Sequence, residues 1–312
     1  MNKNESLKFP PLSDKFSEGV FTKTQWLIDY FTYREHIDSD EFSGISPQQY
    51  QNALGQNCSQ LANRFRGALL GLAAGDALGT SLEFQPRPES SVITNIVGGG
   101  PFKLKPGEWT DDTSMALCLA HSLIRLSAFN EQDQMDLYVA WWKDGAFSST
   151  GKCFDIGRTT ASALQKYLET GEPMAGSNSP NTAGNGSLMR LAPVVLFYAS
   201  EPWDALTFAG ESSKTTHAAT EAVDACRYFA SLLLGALFGE DKETILSPDY
   251  TPDKHYWASN PVTVAIEKIK QGSYKKNCAM KSNHPDMWST LLRRPCGRFT
   301  TLVILKKARL KQ

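Results

Sequence analysis

Glycines at positions 67, 71, 75 and 79 recur at every fourth residue of the segment Arg64 to Gly79, and this stripe constrains the fold more than any other feature of the chain. The segment reads as an apolar, small-residue helix that ends in glycine. Each interior glycine costs a helix roughly 1 kcal/mol against alanine, so a stripe of them needs a reason, and close approach of a second helix supplies one. Tight packing accounts for most of the glycines. It leaves Glu83, in the following Thr80-Ser81-Leu82-Glu83-Phe84, without a structural role.

The rest of the chain continues in the same mode. Apolar residues at spacings of three and four predict helices over 112–125, 132–143, 158–169, 187–198, 218–238 and 262–270, whereas alternating patterns are scarce. The expected fold class is all-α, a compact multi-helix domain. A hydrophobic content of 41% over 312 residues is enough for a substantial core. The net charge of -1 gives no electrostatic reason to expect nucleic-acid or membrane binding. The six cysteines form no CxxC pair and no metal-finger spacing, which reads as reduced thiols in a cytoplasmic setting. No N-terminal apolar run and no bilayer-length segment suggests export or membrane insertion.

Chemistry first shows in Gly107-Glu108-Trp109-Thr110-Asp111-Asp112-Thr113-Ser114-Met115. A hydroxyl and two carboxylates in succession at the start of an apolar helix offer hard oxygen ligands at one point, a set suited to Mg²⁺, Mn²⁺ or Ca²⁺ rather than zinc. The plainer alternative is that Thr110 or Asp111 only caps the helix, with acids favoured there by its dipole.

Further motifs follow in order: Cys153-Phe154-Asp155-Ile156-Gly157-Arg158-Thr159-Thr160, then Gly184-Asn185-Gly186-Ser187-Leu188-Met189-Arg190-Leu191-Ala192-Pro193, then Thr215-Thr216-His217-Ala218-Ala219. Together with the two segments above, this ordered set resembles the ADP-ribosylglycohydrolase family, whose dinitrogen-reductase-activating members and toxin-immunity members remove ADP-ribose from modified proteins. A looser match continues to about residue 275.

The resemblance implies an all-α fold and a two-metal centre, usually Mg²⁺ with Mn²⁺ as the alternative. It further implies hydrolysis of the bond joining ADP-ribose to a protein side chain, often arginine. Residue by residue, it makes Thr110, Asp111 and Asp112 the metal ligands. Glu83 is then the carboxylate beside the scissile bond, as general base or positioning group. Asp155 becomes a ribose or water contact, the alternative being a cap on the helix that follows. Gly184, Asn185, Gly186 and Ser187 supply backbone donors for the diphosphate just before a helix expected to begin near Leu188. Met189 and His217 line the substrate side, the alternative for His217 being a capping or packing residue near a helix start. The expected partners are an ADP-ribosylated protein and an ADP-ribosyltransferase toxin, with no nucleic acid and no membrane.

The domain organisation read from the sequence has three parts: an extension over residues 1–60, the glycohydrolase-like domain over 61–275, and a basic tail over 276–312. The extension is rich in aromatics, and Trp26, Leu27, Tyr30 and Phe31 form a helical stripe that either packs on the core or docks on a second protein. In the tail, no Asp or Glu follows Asp286, and the Asp-x-Asp-Thr type cluster that the resemblance leads one to expect on a late helix does not occur. A frameshift or truncation near 275–280 and a lineage-specific basic tail are alternative origins. Either way Thr110, Asp111 and Asp112 lack opposing carboxylates, so the expectation is weak binding of at least one metal and weak or absent hydrolysis, with surviving function resting on binding.

Overall fold

The computed structural model describes residues 58–84 and 95–273. The extension up to residue 57, with its aromatic stripe, and the basic tail lie outside the described residues.

Among the described residues the regular structure is helical. The helices are α1 (Cys58–Gly79), α2 (Asp111–Leu126), α3 (Glu131–Asp144), α4 (Arg158–Thr170), α5 (Ala192–Phe197), α6 (Pro202–Lys214), α7 (Thr220–Phe238), α8 (Lys242–Ile245), α9 (Tyr256–Ser259) and α10 (Val264–Lys270). Their ends follow local chemistry. Asn130 caps α3 by accepting from the Asp133 amide, and α3, α4 and α7 each stop at a glycine in the left-handed conformation: Gly145, Gly171 and Gly239. None of these helices is long and apolar enough to cross a membrane.

One expected helix is corrected. Residues 187–198 are not helical throughout: 186–190 form turns, and α5 begins only at Ala192. Pro193 sits in the first turn of α5, where its missing N–H and fixed φ are tolerated; a helix begun near Leu188 would place it in the interior, against the carbonyl of Met189. The Met189 amide instead closes a turn on the Asn185 carbonyl at 3.0 Å.

Helix α2 is shared between two apolar clusters, which fixes it firmly. Leu119 and Leu123 pack with Val194 and Val195 of α5, Leu206 of α6, and Leu233 and Leu234 of α7. On another face, Met115 and Cys118 pack with Met135, Tyr138 and Trp141 of α3 and Leu164 of α4. A smaller cluster joins Leu72 of α1 to Ala116 of α2 and Ala192 of α5. Alternate faces of one helix thus serve both clusters, as the three-and-four apolar spacing requires. The amino end of α2 is thereby held in place relative to α1. The glycine stripe is only partly explained by packing: a Cβ added at Gly67 or Gly79 would meet open space.

Candidate active site

The site is built around the amino end of α2. Thr110 is the N-cap residue of that helix, but its side chain does not cap it. Capping comes from another helix. Asp76, in the last turn of α1, accepts the amides of Thr110 and Thr113 at 3.0 and 3.1 Å and their hydroxyls at 2.7 and 2.6 Å. The amide of the N-cap residue and one first-turn amide of α2, that of Thr113, are thus satisfied by a carboxylate from another helix, and no bond to Asp76 engages the side chains of Asp111 and Asp112.

The loop between α1 and α2 is pressed into this arrangement. Gly100 has φ +67, and a Cβ on it would sit 2.1 Å from the Thr80 carbonyl oxygen, so only glycine lets the loop lie against the end of α1. Farther along, the Trp109 indole donates to the Phe147 carbonyl at 3.2 Å, and Ser149 Oγ donates to the Trp109 carbonyl at 2.6 Å. These bonds tie the segment before α2 to the loop that leads towards Asp155.

Glu83 and Asp155 are linked through aromatic neighbours. Phe84, beside Glu83, meets Phe102 edge-on at 6.2 Å, and Phe102 meets Phe154, beside Asp155, at 5.2 Å. Asp155 is held at φ +58, a left-handed conformation that aspartate adopts more readily than most residues. It does not cap α4, whose N-cap is Gly157.

The electrostatics confirm that these acids share one neighbourhood. Burial, then the charges of Asp112, Asp155 and Asp76, hold Asp111 well above the usual carboxylate range. Burial, then Asp76, Glu83 and Asp155, does the same to Asp112. Burial and the charges of Glu83 and Asp76 push Asp155 up to about 7. Burial also raises Asp76, against the lowering effect of its four donors. Cys153 is drawn in as well, its thiol pushed up to about 11 by burial and then by Asp111. Five acids from three parts of the chain are therefore crowded together.

Hard oxygen donors under mutual repulsion have the right chemistry to hold a divalent cation. Among the described residues, however, no three His, Cys, Asp or Glu side chains stand converged as a ready-made metal cage.

The remaining residues read from the sequence form a second group. A Cβ on Gly186 would lie 2.7 Å from Cε1 of His217 and 3.1 Å from Thr160 Oγ1, and one on Gly184 would lie 3.3 Å from His217 Nε2. The glycine loop therefore rests directly on the His217 ring. Ser187 faces inward, its hydroxyl 2.7 Å from that of Ser213, and Met189 belongs to the apolar cluster of α3 and α4. Because α5 starts at Ala192, its amino end is not at Ser187, and donors for an anion there are amides of a turn rather than a helix terminus.

Two residues escaped the sequence reading. Asp76 had a signal: a lone acid at the carboxyl end of an apolar helix, where the dipole disfavours negative charge. Arg190 had one too, a cation within Leu188 to Pro193, an otherwise apolar run.

A helical domain with crowded acids at one helix start and a glycine loop seated on a buried histidine defines a class, and the sequence profile of one family fits it. The ADP-ribosylglycohydrolase profile matches residues 57–293, and the chain belongs to that family. It is 47% identical over 193 residues to the ADP-ribosylarginine hydrolase Tri1 of Pseudomonas putida (strain GB-1), covering 61% of this chain and 51% of that protein. To the Tri1 protein of Serratia proteamaculans (strain 568) it is 41% identical over 218 residues, covering 70% and 57%. To the ADP-ribosyl-[dinitrogen reductase] glycohydrolase of Rhodospirillum rubrum it is 33% identical over 159 residues, covering 50% and 51%. A solved structure described as an ADP-ribosylglycohydrolase-related protein complex matches with a TM-score of 0.62 at 36% identity, over 79% of this chain and 82% of that one. The chain spans about half the length of the curated relatives it matches.

Proposed function

We propose that this chain acts on ADP-ribosylated arginine side chains of proteins, cleaving the N-glycosidic bond to the ribose with the help of divalent cations. The crowding of Glu83, Asp76, Asp111, Asp112 and Asp155 at the start of α2 carries this reading, and the names of the Tri1 relatives give the substrate class.

In this reading Thr110, Asp111 and Asp112 hold the cation, Mg²⁺ or Mn²⁺. The Thr110 hydroxyl donates its hydrogen to Asp76, which leaves its oxygen lone pairs to face a metal. When bound, the cation supplies charge to hold ribose hydroxyls and polarise water. The protein's own tasks are then positional. Asp76 orients the amino end of α2, Glu83 and Asp155 face the reacting bond, and the Gly184–Gly186 loop with His217 takes the nucleotide. Glu83 is the group assigned to accept a proton from the attacking water or to orient it.

A second reading rests on the sequence beyond the domain. In it the aromatic-rich residues 1–60 bind an ADP-ribosyltransferase, and the chain serves as an immunity protein with slow hydrolysis or none. Incubation with ADP-ribosylated arginine and Mg²⁺ tests the first reading: release of free ADP-ribose by folded protein, lost in Glu83→Gln, supports it. No release from wild-type protein at millimolar Mg²⁺ removes the hydrolase reading and leaves the binding one.

A further inference from the structure

Arg190 is fully buried, yet among the described residues no carboxylate pairs with it. One guanidinium nitrogen donates to the Ser212 carbonyl at 3.0 Å, Thr215 Oγ1 at 3.0 Å and Thr216 Oγ1 at 2.9 Å. The group lies 4.4 Å from the centre of the Tyr138 ring, and its Nε has no partner. A buried cation without a counter-charge is expensive. Its retention asks for a task other than stability.

The bonds around Thr216 supply that task. Arginine carries donors only, so Thr216 Oγ1 is the acceptor in its bond with Arg190. The same oxygen is 2.9 Å from Nδ1 of His217. Thr216 is fully buried, and among the described residues Nδ1 is the one acceptor within reach of its hydroxyl hydrogen. A donor left unused there would cost the full desolvation penalty, so the hydroxyl donates to Nδ1. A neutral imidazole that accepts at Nδ1 carries its hydrogen on Nε2.

We propose that Arg190 is a positioning residue which, through Thr216, fixes His217 in the Nε2–H tautomer, so that the ring offers a hydrogen-bond donor to an oxygen of the bound nucleotide. His217 is 2% exposed, its Nε2 has no acceptor among the described residues, and it lies directly beneath Gly184 and Gly186. Burial and the nearby Arg190 charge also push the His217 pKa down to about 3, which keeps the ring neutral. The location of the nucleotide rests on the proposed function; the tautomer does not.

The test uses the full chain with ¹⁵N-labelled histidine. His217 is identified among the five histidines by the signal lost in His217→Gln. Replacing Arg190 itself would open a hole in the core, so Thr216 is the handle: Thr216→Val keeps the shape without the hydroxyl, and Thr216→Ser keeps the hydroxyl. The ligand-free wild type and Thr216→Ser should show a protonated Nε2 and a bare Nδ1, unchanged down to pH 5, whereas Thr216→Val should show mixed tautomers. A protonated Nδ1 in the wild type, or an unaltered tautomer in Thr216→Val, overturns the relay. Calorimetry with ADP-ribose reads the other half: Thr216→Val should bind about fivefold to tenfold more weakly, the worth of one hydrogen bond, with Thr216→Ser restoring affinity. Equal affinity in wild type and Thr216→Val overturns the donor role. Wild-type protein that shows the expected tautomer but no ADP-ribose binding overturns the nucleotide assignment alone.

Discussion

Thr110 gives both its amide and its hydroxyl to Asp76, a residue 34 positions earlier in the chain, at 3.0 and 2.7 Å. Thr113 does the same at 3.1 and 2.6 Å. One carboxylate therefore starts the helix that carries Asp111 and Asp112. Asp76→Ala should leave two amides and two hydroxyls without their acceptor and cost about 2–4 kcal/mol, more than an ordinary lost cap. Urea unfolding measures this; a loss below about 1 kcal/mol would mean that the trans cap contributes little.

Asp111 and Asp112 should behave in the opposite way. Their folded-state pKa values are raised by burial and by neighbouring acids. Such a group adds stability only below its unfolded pKa, near 3.9, and that stability is lost as pH rises through the folded value. At neutral pH without metal, the pair therefore opposes folding. Asp111→Asn with Asp112→Asn should raise the melting temperature of the chelator-treated protein, and Mg²⁺ should stabilise the wild type but not the variant. A double variant that melts lower than wild type, or still responds to Mg²⁺, contradicts the ligand assignment.

Much of this arrangement was legible in the sequence, and the limits have physical causes. The apolar spacing gave α2, α3 and α4 to within a residue, because each buries one continuous face. It failed at 187–191, where apolar residues continue the helical pattern but Pro193 admits a helix only from Ala192. Adjacency of Asp111 and Asp112 was visible; their meeting with Asp155 was not, since it depends on how the loop before α4 folds back. Arg190 stood inside a motif, but its link to His217 runs through space rather than along the chain.

The pH dependence of stability should carry a signature of His217. Its pKa falls from an ordinary value near 6.5 to about 3 in the folded protein, through burial and the Arg190 charge. The unfolded chain then takes up a proton that the folded one refuses. Stability is lost as pH drops from about 6.5 towards 3, by at most about 1.4 kcal/mol per unit. Comparing denaturation of wild type and His217→Gln between pH 7 and 4 isolates this contribution: the variant should show the shallower fall. Parallel curves would mean that His217 is protonated in the folded state.

The aromatic stripe near the start of the chain separates the enzyme from the blocker. In the binding reading, Trp26 and Tyr30 anchor residues 1–60 on a transferase, and large aromatics at the centre of an interface commonly cost 2 kcal/mol or more when truncated, about thirtyfold in affinity. Trp26→Ala combined with Tyr30→Ala should therefore weaken binding to the transferase at least tenfold while leaving hydrolysis of a small ADP-ribosylated arginine substrate unchanged. That hydrolysis is expected to require a divalent cation and to rise with Mg²⁺ concentration until the proposed ligands are occupied. Turnover that a chelator leaves unchanged would contradict the assignment of Thr110, Asp111 and Asp112 as ligands. A double variant whose domain unfolds would place the stripe against its own core and remove the support for a docking arm.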